Sequence, residues 1–292
     1  MKNSATLRYL FALFLYGTIG FFLHFTQYSS EFVVLCRGLL GSLFIVLVLC
    51  LRRQRIDIEA IRKNLKLLVI SGFALGFNWV FLFAGYRYGI AISSLMNYMA
   101  PIAVVVISAV LYKEKIYPLQ VFFIVVAFIG MLMLTGIFEQ QVKVDMHCVV
   151  YGLLAAAGFV ILVLCNRKLE GIDPLEKTLV QLFSSAMIVF PYVLFNHGFP
   201  DRFDMLSTVI VLVLGFLHTG VAYICYFSSI NVLPPQSIAL LGYLEPVLNF
   251  VIGVFVFHEP LGLLSIIGAV FIVAASLGNE LAARKNENIY RK

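Results

Sequence analysis

Glu245 is a carboxylate inside an otherwise apolar run, residues 235–257. A lone carboxylate at that depth in hydrocarbon must take up a proton or find a cationic partner. It is therefore a candidate to bind a proton or the ammonium group of a guest. The alternative is a neutral carboxyl held by neighbouring helices for packing alone. His218, in the run 205–230, is the other titrating group at depth. It is a candidate proton carrier or partner for Glu245, or else a helix-to-helix hydrogen bond. Arg37 stands about five residues into its run, roughly 7–8 Å at helical rise. It can snorkel to the outer surface, pair as a gate, or serve the pathway. Pro101 and Pro246 each remove a helical hydrogen bond and free the carbonyl four residues earlier. Those carbonyls belong to Asn97 and Gly242. A simple kink is the minimum consequence; two backbone acceptors offered to a guest is the larger one.

Around these groups lie aromatics in unusual places. Trp79, the one tryptophan, falls near the middle of its run with Asn78 beside it, whereas membrane tryptophans collect at the interfaces. Tyr16, Tyr98, Tyr223, Tyr226 and Tyr243 are also internal. A phenol hydroxyl in hydrocarbon needs a partner. Singly each reads as core; together they predict a shared, polar, aromatic-walled cavity. Such walls attract an amphipathic or cationic guest through ring faces.

Elements able to hold these residues follow from composition. Of 292 residues, 62% are hydrophobic and 12% charged, against about 25% charged in soluble domains. A bilayer is the solvent that suits such a chain. Runs long enough to cross it as helices occur at about 7–25, 32–51, 65–88, 91–112, 117–137, 147–165, 174–196, 205–230, 235–257 and 261–280. Their apolar character is continuous and does not alternate, which excludes a barrel. With the N-terminus inside, only Arg87, Lys143 and Arg202 fall on the outer side and Arg37 lies within a span; the other 17 of the 21 Lys and Arg face the cytoplasm. The positive-inside rule thus predicts ten crossings with both termini cytoplasmic. The basic balance is a topology signal, and no nucleic-acid partner is expected.

The chain also repeats itself. Shifted by 145 residues, Met96–Ile116 falls on Leu241–Leu261, placing Tyr98 on Tyr243, Pro101 on Pro246 and Glu114 on Glu259. Five crossings per half is an odd number, so the halves are inserted in opposite senses. Inverted repeats recur in secondary transporters, with the site near the midplane between them. The segments "APIAVVVISAVLYKEKI" and "EPVLNFVIGVFVFHEPL", with "FVVLCRGLLGSLFIVLVL" and its early Arg37, resemble the EamA family of the drug/metabolite transporter superfamily. That resemblance implies an all-α integral membrane protein of ten helices in two five-helix repeats, 1–140 and 141–292. It also implies transport of a small metabolite and leaves the substrate open. Glu114 and Glu259, at span ends, read as interface or helix-terminus charges.

Several chemistries are excluded by pattern. No Walker, dinucleotide, GxSxG or HExxH motif occurs, and each of those has a fixed spacing its mechanism requires. Five cysteines lie in or beside apolar runs without CxxC or Cys/His spacing, so neither zinc nor disulfides are expected. No catalytic residue, metal or cofactor is expected. The expectation is a multi-pass protein of the plasma (inner) membrane, a monomer or homodimer. It would move an amino acid or amine by alternating access, with protons as coupling ion, export favoured and lipid as its surroundings. Rival readings are a phosphorylated-sugar or nucleotide-sugar exchanger, an intramembrane enzyme using Glu245 with His218, and a receptor or scaffold.

Overall fold

The computed structural model describes residues 2–86, 88, 90–113, 117–134, 145–196, 198–230, 232–257 and 262–290. Thirteen α-helices account for most of these: α1 Lys2–His24, α2 Ser30–Leu51, α3 Ile58–Tyr86, α4 Ile90–Asn97, α5 Ala100–Tyr112, α6 Pro118–Leu134, α7 Met146–Lys168, α8 Pro174–Phe195, α9 Met205–Gly215, α10 Ala222–Ile230, α11 Pro235–Gly242, α12 Leu244–Phe257 and α13 Leu263–Tyr290. A π-helical turn, Phe216–Val221, joins α9 to α10. No strand occurs among the described residues. Glu114, Glu259 and the boundary expected at residue 140 lie outside them.

Seven helical stretches are long and apolar enough to cross a membrane, and three shorter apolar ones follow: Pro118–Leu134, Leu240–Val256 and Leu263–Asn279. The continuous spans expected at 91–112, 205–230 and 235–257 are each interrupted. Two are broken outright, at Tyr98–Met99 and at Tyr243, and the third carries the π turn. The prolines explain the two breaks. Pro101 and Pro246 sit within the first three residues of α5 and α12, where a missing N–H is tolerated. The chain therefore ends one helix and starts another at each proline.

Helix starts are written locally. The side chains of Ser29, Asp145, Asp173 and Asp204 accept from backbone amides at the starts of α2, α7, α8 and α9, as N-caps do. At Asp204 the bond from the Ser207 amide holds the carboxyl below its usual value of 3.8. A lowered folded value means stability that is present above pH 3.8 and lost as pH falls through the folded value. Asp204→Ala is expected to lower the thermal midpoint at pH 7, and by less at pH 3, which lies below the usual value of 3.8. A midpoint loss of equal size at both values would refute that account.

Outside, rows of apolar side chains such as Leu39, Leu43 and Leu47 on α2 are exposed. In water such rows would aggregate; against lipid they are the expected surface. Inside, there are two large apolar clusters. One joins α1, α2, α3, α7, α8, α10 and one face of α11, through residues such as Leu13, Leu75, Leu162, Leu182 and Phe227. The other joins α4, α5, α6, the end of α11 and α13, through Leu95, Val105, Met131, Leu240 and Ile272. Each cluster draws on both halves of the sequence, so the halves are interleaved.

Small residues set the closest crossings, as is usual where lipid removes the hydrophobic drive between helices. Gly72 and Gly76 of α3 lie against the α8 backbone, and Gly158 of α7 against Ala74 and Asn78 of α3. Gly130 of α6 and Gly268 of α13 meet backbone to backbone: a Cβ on Gly130 would lie 2.7 Å from the Gly268 oxygen.

Candidate functional site

Between the two clusters lies a cavity of about 140 Å³. From the first cluster Tyr9 and Tyr16 (α1), Phe159 (α7) and Tyr223 and Tyr226 (α10) reach it; from the other side come Ser94, Asn97, Tyr98, Pro101, Gly242 and Glu245. The broken helices therefore deliver their free ends to this space. Asn97 and Gly242 are the last residues of α4 and α11, and Glu245 is in the first turn of α12. A helix N-terminus carries partial positive charge, which suits a carboxylate there.

The aromatic wall is continuous. Ring centroids separate Tyr16 from Tyr223 by 5.4 Å and from Tyr226 by 6.0 Å, and Tyr9 from Tyr226 by 5.5 Å. The Tyr9 hydroxyl donates to the Ile238 carbonyl at 3.1 Å. The hydroxyls of Tyr16 and Tyr226 are buried with no partner. Glu245 and Tyr98 are joined by a side-chain hydrogen bond. The arrangement can receive a small guest with a cationic end at Glu245 and acceptors for the two free phenols.

Of the residues singled out from sequence, Glu245, Tyr98, Asn97, Tyr16, Tyr223, Pro101 and Gly242 line this cavity, while Asn78, Trp79, Tyr243, His218, Arg37 and Pro246 do not. Asn78 stands behind Asn97: its amide donates to the Asn97 side chain at 2.9 Å and to the Ala155 carbonyl at 2.8 Å. Tyr243 is buried, and its hydroxyl donates to the Tyr98 carbonyl at 3.0 Å. The two helix breaks are thereby tied to each other. Trp79 meets the Tyr223 ring edge-on at 6.0 Å. Pro246 is buried in α12.

For two residues the structure favours one of the alternatives. His218 is not a partner of Glu245. The π turn directs it at α1, where Nε2 lies 3.0 Å from the Thr18 hydroxyl, and its ring meets Phe22 at 4.8 Å. Arg37 does not snorkel outward. It is 5% exposed, its Nε donates to the Thr219 hydroxyl at 3.0 Å, and its guanidinium carbon lies 5.1 Å from the Trp79 ring centroid. The ring face and hydroxyl replace water, and Tyr16, Tyr223 and Glu245 lie within its electrostatic range.

Tyr9 and Phe159 were missed. Tyr9 stands two turns before Tyr16 on one face of α1, and that seven-residue spacing was the available signal. Phe159 gives none, being one phenylalanine among 27. Lys177, counted on the inner surface, is buried instead.

A family model described as the EamA-like transporter family matches residues 4–136 and again residues 146–279. The uncharacterized transporter YxxF of Bacillus subtilis is 26% identical over 277 residues, 94% of this chain and 88% of that protein. Protein PecM of Dickeya dadantii is 25% identical over 215 residues, 72% of this chain and 71% of its own. A crystal structure superposes with a TM-score of 0.85 at 18% identity, covering 98% of this chain and 100% of that one. That likeness shows the fold.

Proposed function

The chain belongs to the EamA-like transporter family, and from that premise we propose that it carries a small amino acid or amine through the cavity at Glu245. Membership makes it a multi-pass membrane transporter of small molecules. The observation that carries the finer reading is a membrane-depth carboxylate facing a cavity lined by five tyrosines, Tyr9, Tyr16, Tyr98, Tyr223 and Tyr226. Carboxylate and ring faces together attract an ammonium group.

The remaining features of the reading rest on the following. Seven long and three shorter apolar stretches support ten crossings. The double match of the family model supports two repeats, 1–140 and 141–292. Basic residues concentrated on one side support cytoplasmic termini, and the plasma membrane is the proposed location. The interleaved clusters suggest that the bodies rocking about the cavity are composites of both halves. Export is the direction proposed, by analogy with the family alone. Monomer or homodimer is the proposed assembly, with protons as coupling ion.

The test is thermal unfolding of the purified protein with small amino acids, primary amines and sugar phosphates, at two pH values. A ligand at 100 times its Kd stabilises by about 2.7 kcal/mol. A raised midpoint with an amino acid or amine is the expected result. One observation favours a second reading: Arg37 lies in the interior, within range of Tyr16 and Tyr223, where an anionic guest would feel it. Stabilisation by sugar phosphates alone, lost in Arg37→Met, would replace the amine reading with that one.

A further inference from the structure

Lys177 is the most unusual charge in the molecule that the cavity does not use. It sits in the first turn of α8, is 2% exposed, and its ammonium donates to the Phe227 carbonyl of α10 at 2.9 Å. The same nitrogen lies 5.5 Å from the centroid of the Phe227 ring. A buried ammonium normally has a carboxylate beside it, because the desolvated charge is otherwise too costly to keep. Among the described residues none pairs with it. On α8 itself Glu176 turns away, its Oε1 accepting from the Asp57 amide at 2.8 Å. The packed helix α2 carries Cys50 and, at its end, Arg52; α3 carries Glu59, Arg62, Lys63 and Lys66, preceded by Asp57; α10 carries Tyr223, Cys225 and Tyr226. No carboxylate among the described residues makes an ion pair with Lys177.

Its position links that charge to the cavity. Phe227 lies in the last turn of α10, so the bond from Lys177 ties that helix end to α8. The Phe227 ring lies 5.1 Å from Tyr223 and 5.3 Å from Tyr226, both in the cavity wall. Whatever holds or releases the end of α10 therefore holds or releases two of the five cavity tyrosines.

We propose that Lys177 is a proton-binding site that couples proton movement to transport, its ammonium clamping the inner end of α10 to α8 and its neutral amine letting it go. The neutral amine takes up a proton from water on one side, its lone pair forming the new N–H bond, and becomes the ammonium. The proton leaves to water on the other side once the helices have moved. Charge and atoms balance without any further reactant. The proposal rests on the transport reading above, and it assigns a different residue from the cavity's own Glu245.

The test uses the full chain in proteoliposomes under a pH step imposed in either sense. The probe is the compound giving the largest thermal shift in the panel above, radiolabelled. Wild type is expected to accumulate it against its gradient under one sense of the step. Lys177→Met is expected to equilibrate it without accumulation. Lys177→Arg decides between coupling and mere capping. Arginine keeps a charge and a donor for the Phe227 carbonyl but does not release its proton, so it is expected to retain the thermal midpoint and lose accumulation. Accumulation by either variant at the wild-type level would overturn the proposal, as would wild-type transport indifferent to the pH step. If no compound shifts or enters with wild type, the transport reading itself falls and takes this one with it.

Discussion

Glu245→Gln is expected to weaken the stabilising ligand's affinity about 100-fold, or about 2.7 kcal/mol, while leaving the unliganded midpoint nearly unchanged. The substitution keeps the shape and the capacity to meet Tyr98; it removes only the charge. A hydrogen bond or ion contact to a charged group in a desolvated site is worth about 1.5–3 kcal/mol, and the free ammonium would face the aromatic rings alone. The measurement is the ligand-induced shift in unfolding temperature across a concentration series. An undiminished shift in the variant would show that Glu245 serves packing, the bland alternative that its sequence position equally allows. A collapse of the unliganded midpoint would say the same by another route.

The second large effect concerns the crossing of α6 and α13. Gly130→Val and Gly268→Val should each destabilise the protein by about 1–3 kcal/mol, because an added Cβ meets backbone. On Gly268 it would overlap the Gly130 oxygen and come within 2.7 Å of the Leu134 nitrogen. Neither is the tip of a flexible side chain that could swing aside. Gly242→Ala is the matched control: its Cβ would meet only the Tyr9 hydroxyl, at 3.7 Å. It should leave the unliganded midpoint nearly alone while narrowing the cavity. Thermal unfolding of the three variants in one detergent checks this, and equal losses at all three positions would refute the steric account.

How much of this was readable from the chain varies with the kind of signal. Apolar run length announced the helices, because hydrocarbon demands it. Pro101 and Pro246 announced the two irregular segments, although a kink was the minimum expectation and full breaks are what occur. Position along a run located Glu245, Tyr16, Tyr98 and Tyr223 at a common depth, which sufficed to bring them to one cavity. Depth says nothing about azimuth, however. His218 lies in a span that also supplies two cavity tyrosines, yet the π turn rotates it toward Thr18. Tyr243 shares the repeat position of Tyr98 and is turned into the packing. Snorkelling, gating and pathway roles stayed open for Arg37 because its partner Thr219 lies 182 residues away, beyond any local pattern. Lys177 was misread for the opposite reason: a lysine one turn into a helix looks like a surface residue, and only the packing of α10 buries it.

The interleaving of the two halves bears on how the molecule is made. Synthesis delivers α1 to α6 first, yet neither apolar cluster is complete with those helices alone. Arg37 enters the bilayer with Trp79 soon to follow, but its hydroxyl partner is still unsynthesised. The crossing partner of Gly130 arrives last, in α13. The first half must therefore wait in the lipid with its charge half satisfied and its inner faces bare, and assembly is completed only when the final helix is in place.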